Sequence, residues 1–208
     1  MNDHRITTEA ELEAVMGTPA EAVRAKILPR LDDVMTEFVR RAPLVFLSTI
    51  DADGHVDVSP KGDAPGFVHI DGAGCLLIPD RPGNRLTMGF RNILRSGEIG
   101  LIFVIPNQRE TLRVKGTATL HRDPALLAEL QANGKPALLC TRVEISGCFM
   151  HCGKAFIRSR LWQPESWEAP GRSLGARQFA SVFGGDDPAT AVQRTEDLLE
   201  KAYTDELY

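Results

Sequence analysis

The sequence predicts a mainly β fold: an antiparallel barrel, closed or split, with flanking helices. Three observations point there. About six apolar or alternating segments of strand length follow one another between residues 44 and 145, bounded by Gly, Pro and Asp turn signals. The 18 glycines and 13 prolines favour many turns and short strands over long helices. One helical stretch separates the early strands from the later ones, so the βαβ alternation of a doubly wound sheet is missing. With 208 residues, 43% of them hydrophobic, the chain suits one domain with a sizeable core. The expected organisation is a single domain over 1–208, with N-terminal helices in 1–42, a barrel core in 44–162 and a helical extension in 163–208.

The elements follow from local pattern. Thr18 and Glu21 fit a capping box, with Pro19 at the first helical position. Residues 31–41 place Leu31, Val34, Met35, Phe38 and Val39 on one helical face, and Pro43 stops the helix. Residues 44–50 are a compact apolar run. The DADG turn at 51–54 supplies the positive-φ positions of a hairpin. Residues 55–59 alternate, so their polar side chains face away from Val56 and Val58. Pro60 to Gly66 breaks that strand. Residues 67–70 and 75–78 form a second hairpin, 79–85 a loop, and 86–94 a short helix. Strands follow at 98–105 and 110–120. Asp123 caps a helix running to about 132, and another strand occupies 137–145. Further helices are expected over 154–161, 174–183 and 187–202.

Composition excludes some classes. A net charge of −4 supplies no bulk basic field for nucleic acid. No apolar run reaches the roughly 20 residues that span a bilayer. The first residues are polar and lack the apolar region of a signal peptide, so a cytoplasmic protein with four reduced cysteines is expected.

The strongest local signal is Asp80-Arg-Pro-Gly-Asn-Arg85 entering a helix. Arg81 and Arg85 match phosphate oxygens bidentately, and a helix start adds free backbone N–H groups. The same residues also suit an ordinary charged turn. A second signal is the SPKGD segment, where Ser59, Pro60 and Lys61 close a strand at a barrel rim; a plain strand exit explains it equally. Arg113 and Lys115 alternate onto one strand face. Cys148, His151 and Cys152 offer thiolate and imidazole ligands, but a structural zinc site wants a second pair, so no metal is expected. His55, His69 and His151 are candidates for proton transfer only because histidine titrates near neutrality. No dinucleotide fingerprint, phosphate-binding Walker loop or nucleophile elbow is present. Phosphate-binding residues without a protein nucleophile fit a cofactor that carries the reaction.

In order and spacing, the blocks DADGHVDVSPKGD, CLLIPDRPGNR, EIGLIFVIP, ETLRVKGTATL and HCGKAFIRSRLW resemble the pyridoxamine-phosphate-oxidase-like flavoproteins. The resemblance covers roughly residues 44–162 and is closest to a bacterial FMN-dependent subgroup carrying SPKGD and IPDRPGNR blocks. It implies a six-stranded antiparallel FMN-binding split barrel of Greek-key type. It also implies a homodimer with two FMN sites at the interface and a small-molecule substrate. One protomer would hold the phosphate through Lys61, Arg81, Asn84 and Arg85, with Asp80 in the same loop, and Ser59 and Pro60 would line the flavin. The partner would contribute Arg113, Lys154 and Arg158, with Trp162 near the ring. The Arg-x-His and Arg-Leu-x-Pro motifs of true pyridoxamine-phosphate oxidases are absent, so an FMN-dependent oxidoreductase acting on another small molecule is expected. The alternatives are a flavin-binding redox sensor without turnover, or a split barrel holding haem or deazaflavin.

Overall fold

A computed structural model describes residues 4–169, 171–183 and 187–208. Three short helices come first: α1 (Glu9–Met16), α2 (Glu21–Ala25) and α3 (Asp33–Arg41). The strands β1 (Leu44–Ile50), β2 (Val56–Gly62), β3 (His69–Ile70) and β4 (Leu76–Asp80) lead into α4 (Met88–Ser96). Then follow β5 (Glu98–Val104), β6 (Thr111–His121), α5 (Pro124–Glu129), β7 (Leu139–His151) and α6 (Lys154–Arg158). A helical pair, α7 (Leu174–Phe183) and α8 (Pro188–Asp205), completes the chain. Among the described residues no helix is long and apolar enough to cross a membrane.

All strands join one antiparallel sheet in the order β2-β1-β5-β6-β7-β4-β3. β5, β6 and β7 are successive neighbours and β4 returns beside β7, a Greek-key connection. The sheet has seven strands where the family resemblance implied six; the short β3, pairing with Leu76 and Leu77, falls within the 67–70 segment read as half of a hairpin. The sheet curls without closing. β2 and β3 are its edges, and ion pairs from β2 to the end of β4 bridge the split.

The core lies inside the curl. Val45 and Leu47 of β1, Ile99, Leu101 and Phe103 of β5, and Leu112 and Val114 of β6 alternate into it, beside Leu76, Ile78 and Val143. Met35, Phe38 and Val39 of α3 join this core, but Val34 is exposed. The helix starts at Asp33, with the Asp32 carboxylate accepting from the Met35 amide at 2.8 Å, so Leu31 lies outside it.

Other boundaries moved for identifiable reasons. The capping box forms at Thr8 and Glu11, not at Thr18 and Glu21, because α2 begins one residue after Ala20 and has no side-chain cap. β2 runs through Pro60, which was expected to break it; an edge strand needs no N–H on its free side. α4 begins at Met88 because Arg85 and Thr87 adopt left-handed backbone, φ 61° and 54°. α5 stops at Glu129 and α6 at Arg158, both short of expectation, while α8 extends to Asp205. β7 continues to His151, carrying Cys148 into the core and leaving Cys152 exposed just beyond the strand.

The long β6–β7 pairing shifts register between Lys115 and Gly116. A Cβ on Gly116 would lie 1.9 Å from the Glu144 carbonyl oxygen, a backbone atom that cannot swing aside. Gly116→Ala is therefore expected to destabilise the protein by about 3 kcal/mol, the upper end for overpacking. Urea unfolding checks this; an unchanged midpoint would contradict the bulge geometry.

Candidate functional site

The site begins with the polarity of β2. Its register sets Asp57, Ser59 and Lys61 opposite Thr49, Leu47 and Val45, whose side chains point into the curl. The polar residues of β2 thus face inward, and Val56 and Val58 face solvent at 64% and 60% exposure. Alternation alone gave two opposite faces; it did not say which face was inside. An inward polar edge next to an open split leaves a cleft. Its volume is about 480 Å³, with β2 on one side, the 80–87 loop on another and α4 above. Phe90 and Ile93 of α4 close the apolar end. Gly89 lies beside Thr49 and Asp57, where a Cβ would make only ordinary contacts of 3.5 Å and 3.6 Å.

Charges at the split are arranged in pairs. Lys61 Nζ donates to Asp80 Oδ1 and lies 4.8 Å from the centre of the Phe90 ring. Arg81 Nε donates to Asp63 Oδ2 at 2.9 Å, and its Nη1 donates to the Leu130 carbonyl at 2.8 Å. The other Asp63 oxygen accepts from the Ala64 amide at 2.8 Å and the Tyr208 hydroxyl at 2.9 Å. Arg85 differs: among the described residues it has no hydrogen-bond or ion-pair partner, and it lines the cleft.

The loop is shaped to present that arginine. Asn84 Oδ1 accepts from the Leu86 amide at 3.1 Å, a local turn. Arg85 and Thr87 then take positive φ, which costs a non-glycine residue about 1–2 kcal/mol each. Left-handed Thr87 makes no side-chain cap, so the amides opening α4 remain available where Met88 and Gly89 meet the cleft. Strain of this kind persists where surroundings enforce it and is common at ligand sites.

Ser59, Pro60, Lys61, Asp80, Arg81, Asn84 and Arg85 all line this one cleft. Arg113, Lys154, Arg158 and Trp162 do not. Arg113 is exposed on β6, its guanidinium 5.4 Å from the Phe149 ring centre. Lys154 and Arg158 are exposed on α6. Trp162 donates to the Gln108 carbonyl at 2.8 Å and packs edge-on against Phe156. Sequence reasoning anticipated the helix start after the 80–85 loop, but missed Asp57 and Tyr208 and gave Asp63 no role of its own. Asp57 had a signal, since it sits two and four residues before Ser59 and Lys61 on one strand. His55 pairs with Asp51 in an exposed turn, where Asp51, Asp53 and His55 converge within 4.8 Å; His69 is exposed and His151 half-buried.

Burial pushes the Asp63 carboxyl up, yet the Ala64 amide, the Tyr208 hydroxyl and the Arg81 guanidinium outweigh it and hold it below the ordinary range. A carboxyl depressed on folding contributes stability above its unfolded pKa, about 3.9, and loses it as pH falls through the folded value. Asp63→Asn is expected to destabilise the protein at neutral pH by roughly 3 kcal/mol, because it leaves the largely buried Arg81 without its counter-ion. It should also flatten the stability loss below about pH 4. Denaturant titrations across pH check both; a parallel acid profile would remove Asp63 from the network.

The family model for pyridoxamine 5'-phosphate oxidase matches residues 31–152. A search of the curated proteins finds no match. Among solved structures, a Group A Streptococcus HupZ is similar at 17% identity and TM-score 0.47, over 58% of this chain and 93% of that one. An FMN-binding protein from Syntrophomonas wolfei is similar at 13% identity and TM-score 0.41, over 57% and 89%. HutZ, the haem storage protein from Vibrio cholerae, is similar at 15% identity and TM-score 0.39, over 60% and 97%. The family model spans more than half of the chain, including the whole of the curled sheet from β1 to β7, and the chain therefore belongs to the pyridoxamine 5'-phosphate oxidase family.

Proposed function

We propose that this protein binds FMN in the cleft between β2, the 80–87 loop and α4, and acts through it as an oxidoreductase on a small molecule. One observation carries the reading: an unpaired arginine, Arg85, lies on a strained loop beside the uncapped start of α4, at the mouth of a cleft of cofactor size. A phosphate monoester takes both kinds of donor, guanidinium and backbone amide. Lys61 lines the same cleft and is shared with Asp80. Asp57 and Ser59 offer acceptors and a donor for ribityl hydroxyls, and Leu47, Phe90 and Ile93 give apolar walls for the ring. Arg81 has a structural role here, since its guanidinium already serves Asp63 and Leu130. Bound FMN supplies the hydride- and electron-transfer chemistry that these side chains lack.

The same reading includes a homodimer. On the outer face of the sheet Pro60, Phe46, Ile102 and Arg113 form one lateral row, flanked by Val56 and Val58. Apolar side chains of that size in a contiguous exposed patch mark an association surface. A second copy seated there would bring its own Arg113 toward this face.

The purified protein is expected to be yellow or to quench FMN fluorescence on titration; a colourless protein that ignores FMN overturns the reading. The absorption spectrum of extracted ligand separates FMN from haem or deazaflavin. Arg85→Ala should weaken FMN binding by about 1.5–3 kcal/mol, the range for a lost charged hydrogen bond. Unchanged affinity would remove Arg85 from the site. Reduction by NADH or NADPH and reoxidation by a substrate panel test turnover. Val58→Asp should shift the species seen by sedimentation from dimer toward monomer, because it puts a charge into the apolar face; a monomeric parent protein overturns the interface.

A further inference from the structure

We propose that Leu207 and Tyr208, beyond α8, wall a second compartment against the split, and that it takes a flat, uncharged ring as substrate or electron acceptor. The inference rests on the FMN reading for its role but not for its geometry. The compartment has a volume of about 450 Å³ and shares half of its lining (Ser59, Lys61, Asp80, Arg81 and Asn84 among it) with the first cleft, so the two are contiguous. Its other walls include Pro79, Pro82 and Phe67 from the barrel.

Two features hold the segment in place. The Tyr208 hydroxyl donates to Asp63 Oδ1 at 2.9 Å, and Lys135 Nζ donates to the Tyr208 backbone oxygen at 2.5 Å. These contacts tie residue 208 to the β2 end and to the segment before β7, on opposite sides of the split. The helical pair that precedes it packs mainly on itself through Ala176, Ala180 and Val192. Docking of Tyr208 is therefore a specific contact and not a by-product of helix burial.

The wall chemistry sets the ligand class. Lys61 is paired with Asp80 and Arg81 with Asp63, two cations against two carboxylates. A charged ligand would have to displace one partner of a largely buried pair, which is unfavourable. Rigid proline faces with Phe67 and the Tyr208 ring suit a planar apolar ring. Phosphate-bearing ligands belong in the first cleft, where Arg85 is unpaired.

The test uses the full chain loaded with FMN and a matched pair of probes, neutral naphthamide and anionic naphthoate, titrated by calorimetry. Naphthamide is expected to bind about tenfold more tightly than naphthoate. Tyr208→Ala should weaken naphthamide by about tenfold while FMN affinity stays within about twofold, and Tyr208→Phe, which keeps the ring, should fall between. Naphthoate binding as tightly as naphthamide, or naphthamide indifferent to Tyr208→Ala, overturns the proposal. So does a Tyr208→Ala chain that loses FMN and naphthamide together, since that marks a structural strap. FMN affinity is read separately, by flavin fluorescence. A parent protein that takes naphthamide in a Tyr208-dependent way but not FMN sinks the cofactor reading and leaves the compartment standing.

Discussion

The two ion pairs across the split, Lys61 with Asp80 and Arg81 with Asp63, are the contacts on which the rest of the architecture depends. A sheet whose edge strands do not pair can open or slide, because no ladder of backbone hydrogen bonds fixes the gap. Here β2 and β4 meet through side chains instead. That choice leaves a cavity where a closed barrel would have core. It also explains why β2 reverses the usual polarity. Of the inward positions, Lys61 reaches Asp80 across the split and Asp57 and Ser59 face the open cleft, so they are polar, while the outward ones are free to be valine. The pairs are largely shielded, with the Asp63 side chain only 5% exposed, so removing one partner strands the other.

Pairing the cations at the split has a consequence for binding. Lys61 and Arg81 are both near the cleft, but neither presents a bare charge. Only Arg85 does so among the described cleft residues, and it is held in left-handed backbone by the turn that Asn84 begins. The loop thus separates two duties that similar residues could have shared. Arg81 is paired with Asp63 across the split, whereas Arg85 carries no such partner. An arginine with a carboxylate partner binds phosphate less well, because the anion must compete for the same donors.

Much of the fold was legible because its signals are local. Turn residues, period-two alternation and the Asp123 cap each act within a few positions, and the strands and most helices lie where those patterns put them. What failed locally failed for lack of context. Pro60 reads as a strand breaker unless β2 is known to be an edge. Val34 reads as core until the Asp32 cap fixes where the helix starts. The site was half legible for the same reason. Its basic residues stand out in the sequence, but their partners lie 18 and 19 positions away, and Tyr208 lies 145 positions from Asp63. Only the curl of the sheet brings these together, so no spacing rule could show that Arg81 is paired and Arg85 is not.

The cleft and the exposed apolar face meet on β2. Successive residues serve opposite sides: Val56 and Val58 outside, Asp57, Ser59 and Lys61 inside. A one-residue slip of this strand would expose the cleft residues and bury valines in the cavity. Register is held by β1 on one side only, since the other edge is open. The Lys61–Asp80 pair therefore does more than bridge the split. It fixes the register of an edge strand, because only one alignment puts Lys61 opposite Asp80. If a second copy covers the outer face, it adds a constraint from the other side of the same strand. Association and cofactor binding would then stabilise one another through β2 without any contact between partner and cofactor, since each favours the same register.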